Sequence, residues 1–305
     1  MPLAPIDNAL PTTPPIPRKQ SKISVGLVEN DPNRLPLPSS GDASIDYISS
    51  ENLAPIPEPE TKIQSLTEEL DSKNWTNVCE SLNDVRRFAL YHSSLLFPIL
   101  GKIVLVMAKT IKNPRSAVCK TSIMAASAVF SAFGDKLLDS STSDAFDHLL
   151  LQLLLKASQD KRFVCEEADR ALGAMVDSIT PLFLLQKLRA YVSHANLRAR
   201  AKAAVSLSKC VSKMQVLGEM EEHWLAELIK VAAELLNDRL PEARDAARSI
   251  ATSSYEALTE DKDQKQEVWQ SFCQSKLPPI HALSMLKIVN PEVQPETNKP
   301  MNETA

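Results

Sequence analysis

The chain has 305 residues, and 44% of them are apolar, enough to bury the core of one large domain or two small ones and too much for a wholly disordered chain. Only 6 residues are glycine and 5% are aromatic, which disfavours folds that depend on many tight hairpin turns and points to an all-α architecture. With 34 Lys and Arg against 38 Asp and Glu, a net charge of −4, the whole chain lacks the basic excess of a general nucleic-acid binder, so any charge effect is local.

Twelve of the 21 prolines fall in residues 1–60, five in 278–305 and four in the 217 residues between. Residues 1–60 also hold four basic against eight acidic side chains and no apolar period. They are expected to form a disordered arm, with a second short tail over 291–305. Within the arm, Pro14-Pro15-Ile16-Pro17-Arg18-Lys19 fits a Pro-x-x-Pro ligand for an SH3-type partner, a pattern that Pro-rich segments produce freely.

From residue 61 the apolar period becomes helical. In the segment from Lys161, for example, Val164, Ala168, Ala171, Leu172, Met175 and Ile179 form one stripe. Caps, prolines and polar clusters divide 61–290 into six helix pairs: 61–71 with 75–91, 94–111 with 114–133, 142–159 with 161–178, 181–193 with 197–215, 219–236 with 241–258, and 263–275 with 279–289. Successive second helices start 36 to 47 residues apart, the spacing of HEAT and armadillo repeats. One pair cannot bury both its faces, so the pairs are expected to stack into a solenoid with all within-pair turns along one edge. At ~10 Å per packed helix that edge is about 50–60 Å long, a length suited to a large protein partner.

Each of the six within-pair turns contains Lys or Arg, although residues 61–277 are nearly neutral, with 28 basic and 27 acidic side chains. The candidate contact residues are Lys73, Lys112, Lys161 and Arg239 at turn tips, with Arg115, Arg162, Arg198 and Arg244 near the starts of second helices. The recurring arginines read two ways: as outward contacts, or as an internal ladder bonded to Asp or backbone carbonyls of neighbouring turns. Trp75 is equally two-sided, since its spacing to Val78, Cys79, Leu82 and Val85 places it on the buried stripe.

The runs Asn74-Trp75-Thr76-Asn77-Val78 through Val85-Arg86, Asn113-Pro114-Arg115-Ser116-Ala117-Val118 and Asp160-Lys161-Arg162-Phe163-Val164 resemble the TOG domain, most closely its N-terminal type in the CLASP family. The resemblance spans about residues 61–290 and implies a paddle-shaped, non-enzymatic solenoid whose within-pair turns bind αβ-tubulin or the microtubule lattice. It implies Trp75 and Lys73 in the first turn, Arg115 in the second, beside the turn-tip Lys112, and Lys161 and Arg162 in the third. Arg198 and Arg200 follow in the fourth, and Arg239 and Arg244 in the fifth. The chain departs from the pattern at Val78, where a basic residue is common, and at Asn113-Pro114, where an apolar tip is common.

Other chemistry finds little footing. There is no Walker, dinucleotide, nucleophile-elbow or zincin motif, the five histidines stand apart, and the five cysteines show no paired spacing, so no cofactor, metal or disulfide scaffold is expected. The first thirty residues are too rich in proline for a signal peptide, and the longest apolar stretch, Leu95 to Ala108, is short of the ~20 residues that cross a membrane. The expectation is a cytoplasmic protein on the microtubule cytoskeleton, without membrane or nucleic-acid partners. The alternative is a HEAT scaffold for a different protein.

Overall fold

In the computed structural model, residues 47–214, 222–260 and 262–290 are described. The chain divides into two units, Met1–Ser44 and Ile45–Ala305, and every described residue belongs to the second. The SH3-type motif at Pro14–Lys19 and the tail at 291–305 lie outside the described residues.

Thirteen α-helices and no strand occur among the described residues. In order they are α1 (Pro59–Leu70), α2 (Trp75–Tyr91), α3 (Ser93–Leu96), α4 (Leu100–Thr110), α5 (Ser116–Phe133), α6 (Ser143–Lys156), α7 (Arg162–Ser178), α8 (Pro181–Arg189), α9 (Leu197–Lys213), α10 (Glu222–Leu235), α11 (Pro241–Thr259), α12 (Lys265–Lys276) and α13 (Pro279–Val289). Proline opens α1, α8, α11 and α13, where a missing N–H costs nothing.

All six expected pairs form: α1 with α2, α4 with α5, α6 with α7, α8 with α9, α10 with α11 and α12 with α13. The second helices pack in a row, α2 on α5, α5 on α7 and α9 on α11, while α9 meets α7 more narrowly and rests on α6 as well. Small buried residues carry this layer, among them Ala125 and Ala126 of α5, Ala168 and Ala171 of α7, Ala203 and Ala204 of α9, and Ala246 and Ala247 of α11. They let helix axes approach closely over long contacts. Gly134, which ends α5, shows the same demand in the backbone: its φ is 49°, and a Cβ there would lie 2.6 Å from the Ser178 carbonyl oxygen.

Helix α5 is apolar nearly all round because α2, α4 and α7 surround it. This explains why Ser93–Thr110 and Ser116–Leu138 are long and apolar enough to cross a membrane by length and composition. Ile103, Val104 and Met107 of the first stretch, and Ile123, Val129 and Phe130 of the second, are fully buried inside the domain.

Three expectations need correction. The helix expected over 94–111 is broken, because Pro98 lacks the N–H that an unbroken helix needs, and a 3-10 turn at Phe97–Ile99 separates α3 from α4. The boundary expected at residue 60 falls inside the folded unit. Leu53 is buried, its carbonyl accepts a 2.7 Å hydrogen bond from the Tyr91 hydroxyl, and a 3-10 turn at Ser50–Asn52 precedes it. Finally, the sixth turn leaves the shared edge. Lys276 pairs with Glu222 at 2.7 Å, at the beginning of α10, whereas the fifth turn follows the end of that helix about 20 Å away. Helix α12 lies across the far ends of α10 and α11, where the buried Trp269 packs edge-on against Tyr255 with ring centroids 5.7 Å apart.

Candidate functional site

The first five within-pair turns are built by two local devices. In four of them an Asn or Asp side chain accepts from the backbone N–H two residues on: Asn74 from Thr76 at 3.0 Å, Asn113 from Arg115 at 2.9 Å, Asn196 from Arg198 at 3.0 Å and Asp238 from Leu240 at 2.8 Å. Such Asx turns reverse the chain tightly and satisfy the first free N–H groups of the following helix. The third turn, at Gln159–Lys161, uses Asp160 differently, to bond Arg198.

Contacts between successive turns place the five side by side. The Arg115 guanidinium carbon lies 5.2 Å from the Trp75 ring centroid, joining turns one and two. Lys161 Nζ donates to Ser116 Oγ at 3.3 Å, joining two and three. Arg198 donates to Asp160 at 2.6 Å and to the Ser158 carbonyl at 3.4 Å, joining three and four. Arg200 donates to Asp238 at 2.6 Å, joining four and five. The edge is therefore continuous over five turns.

The cations on it fall into two groups. Lys73, Lys112 and Arg239 are exposed and form no ion pair among the described residues, and Arg115 rests on an aromatic face. Lys161 donates to a hydroxyl and forms no ion pair among the described residues. Arg162 instead pairs with Glu166 at 2.7 Å, and that hydrogen bond raises the arginine's pKa and lowers the glutamate's. The Asp160 bond likewise raises the pKa of Arg198. Arg200 reaches the buried Asp238 and the His194 carbonyl, and Arg244 donates to the carbonyls of Asp238 and Arg239 at 2.8 and 3.0 Å. Of the recurring arginines, Arg198 is bonded to a neighbouring turn, Arg162 and Arg244 to groups of their own repeat, and Arg115 meets no carboxylate among the described residues.

Trp75 is half-buried: it packs against the core on one side and meets Arg115 on the other. A cation held over an aromatic ring is stabilised by about 0.5–1 kcal/mol at an exposed site and keeps its charge available outward. Val78, one turn further on, is buried, so no basic residue belongs there. Two residues of the edge were not selected from the sequence. Phe163, beside Arg162, is 42% exposed, and its position off the Val164-Ala168-Ala171 stripe was the available signal. Lys156 is half-buried in a cleft of about 620 Å³ between turns two and three, which Asn113, Pro114, Cys119, Lys161 and Val164 also line. It ends the buried helix α6, and nothing in its spacing distinguishes it.

No group of three or more His, Cys, Asp or Glu side chains suited to a metal ion occurs among the described residues. Burial pushes the Cys210 and Cys273 thiols up to about 12, so both stay protonated near neutrality and are inert as nucleophiles.

No family model matches the chain. Over 231 residues, 73% of its length, the chain is 27% identical to mouse TOG array regulator of axonemal microtubules protein 1. It is 28% identical to the human protein of that name over 162 residues, or 53% of the chain. These matches span only 13% and 9% of the relatives' own length. Among solved structures, the TOG domain of C. elegans Zyg9 superposes with a TM-score of 0.53 at 15% identity, covering 79% of this chain and 88% of that one. The MAST/Orbit N-terminal domain, a CLASP-type neighbour, gives 0.50 at 12% identity, covering 73% and 94%. The described domain has the TOG fold, and its sequence is similar, over most of that domain, to a TOG array regulator of axonemal microtubules.

Proposed function

We propose that this domain is a non-enzymatic module that binds tubulin, free or in the microtubule lattice, through the edge made by its first five within-pair turns. The observation that carries the reading is the chain of contacts from Trp75 to Asp238, which makes five separate turns one surface on a TOG fold. On this reading Trp75 and Phe163 press on the partner. Lys73, Lys112, Arg115, Lys161 and Arg239 meet its acidic surface, Arg198 and Arg200 hold neighbouring turns in register, and Arg162 and Arg244 are bonded within their own repeats. Association through exposed cations is steered at long range and weakens with salt. The site of action would be the microtubule cytoskeleton, the axoneme included.

The reading is tested by co-sedimentation with microtubules and by gel filtration with free tubulin at low and at physiological salt. Binding in either assay that declines as salt rises is expected; absence of binding in both at low salt overturns it.

One observation favours a second reading, a HEAT scaffold for a different protein: four of the nine candidate cations are bonded to acidic side chains or carbonyls of the domain itself. A scaffold that binds elsewhere keeps its affinity when Trp75, Lys112 and Arg115 are all replaced, whereas a tubulin-binding edge does not.

A further inference from the structure

The segment ahead of α1 is held on the domain by Leu53, buried under Tyr91, and by Tyr47, whose ring centroid lies 4.2 Å from Lys120 Nζ. Between these anchors Ser50 Oγ accepts a hydrogen bond from Arg86 Nη2 at 3.1 Å. Arg86 is unusual. It sits in the interior of α2 with 1% of its surface exposed, its Nη1 donates to Asn83 Oδ1 at 2.9 Å, and its Nε has no partner. It forms no ion pair among the described residues.

A guanidinium buried among neutral groups is poorly compensated, and burial lowers its pKa. Glu167 is the acidic group whose field reaches it, but that carboxylate is bonded to Arg170 and lies 3.8 Å from Lys120 Nζ. Glu166 beside it is taken by Arg162. Three cations, Arg86, Lys120 and Arg170, therefore share Glu167, and the first two also meet the segment, Arg86 at the exposed Ser50 and Lys120 at Tyr47.

We propose that Ser50 is a phosphorylation site and that its phosphate is received by Arg86, latching residues 47–53 onto the domain. In the modifying step the γ-phosphoryl group of ATP passes to Ser50 Oγ. The new P–O bond forms as the bond to the β-phosphate oxygen breaks, ADP leaves, and the hydroxyl proton goes to the kinase's base. Asp46 and Glu51 flank the site in sequence, which suits an acid-directed kinase. A kinase reads extended peptide, so it acts when Tyr47 and Leu53 have let go. The added dianion then favours the docked state, because it brings an unshared charge to an undercompensated guanidinium. The phosphate thus fastens the segment instead of releasing it.

The test uses the whole chain with phosphoserine installed during translation at Ser50 or, as a control, at the neighbouring Ser49, whose hydroxyl has no bond to Arg86. Titration followed by phosphorus NMR should give a midpoint about one unit below the usual value near 6 for the phosphate on Ser50, and near 6 for the phosphate on Ser49. Backbone amides of residues 47–53 should exchange with deuterium about tenfold more slowly when Ser50 is modified. Equal midpoints at the two positions, or faster exchange with the phosphate on Ser50, would overturn the proposal.

Discussion

Turns one and two carry Lys73, Trp75, Lys112 and Arg115, none of which meets a carboxylate among the described residues, whereas turns four and five hold Arg198, Arg200 and Arg244 against Asp160, Asp238 and backbone carbonyls. The backbone design is the same at both ends, an Asx turn leading into a second helix. The cations are used differently. In the first two turns no cation is paired and Arg115 rests on the Trp75 ring; in the fourth and fifth, Arg198 and Arg200 tie neighbouring turns together and Arg244 braces its own turn, leaving Arg239 exposed. Counting basic residues along the edge therefore overstates the charge that a partner meets.

The largest effect expected from this contrast is on stability, at the later turns. Arg200→Ala leaves the Asp238 carboxylate, 3% exposed, with only the Leu240 N–H, so unfolding free energy should fall by about 2–4 kcal/mol. Urea denaturation measures this, and a loss below about 0.5 kcal/mol would show that the Arg200 bond is not structural. Next comes the triple variant Trp75→Ala, Lys112→Glu, Arg115→Glu. It should weaken tubulin binding about 30- to 100-fold, because an aromatic anchor and two unpaired charges are removed together. Co-sedimentation of this variant beside Arg200→Ala separates the two halves of the edge: the first is predicted to bind poorly while folded, the second to bind well while less stable. Arg198→Ala removes an exposed pair with Asp160 and should change affinity by less than about threefold.

The pH response sharpens the comparison from the side of turn one. Hydrogen bonds from Lys62, Ser65 and Ser81 hold the Glu69 carboxyl below its ordinary value of 4.5. A lowered folded-state pKa means that the stabilisation is fully present above 4.5 and is lost as pH falls through the lower, folded value. The urea midpoint of Glu69→Gln should therefore lie below that of the parent chain at pH 7, and the gap should close on acidification below 4.5. A gap that widens there would contradict this assignment. The smallest effect concerns thiols. Cys165 is the one cysteine of five not fully buried, so a thiol reagent at pH 8 should modify it before the other four.

The pairing of helices, their approximate ends and the turn residues were readable because each depends on spacing within a dozen residues: the apolar period, a proline at the first helical position, an Asx residue at the turn. The fate of each turn cation was not. Arg198 meets Asp160 and Arg200 meets Asp238, both 38 residues away, so no local pattern distinguishes an arginine that laces repeats together from one that faces solvent. Trp75 shows the same limit. Its buried flank follows from helical spacing, but its second flank is Arg115, supplied by the next repeat.

Residues 47–58 illustrate a further limit. They have no apolar period and are rich in proline, and they dock through single anchors, Tyr47 and Leu53, on helices far along the chain. Composition is blind to isolated anchors. The sixth turn failed for a related reason: its sequence resembles the other five, and only the packing of Trp269 and Phe272 at the end of the stack decides where α12 lies.

The sequence by itself determined that this chain forms paired amphipathic helices with cationic turns and a repeat length that forces stacking, because periodicity and capping act through neighbours along the backbone. Tertiary structure alone decided which five turns share an edge, which of their charges remain unpaired, and that a buried arginine waits beneath Ser50. Those outcomes rest on distances between residues tens of positions apart, where small differences in helix packing decide which side chains meet.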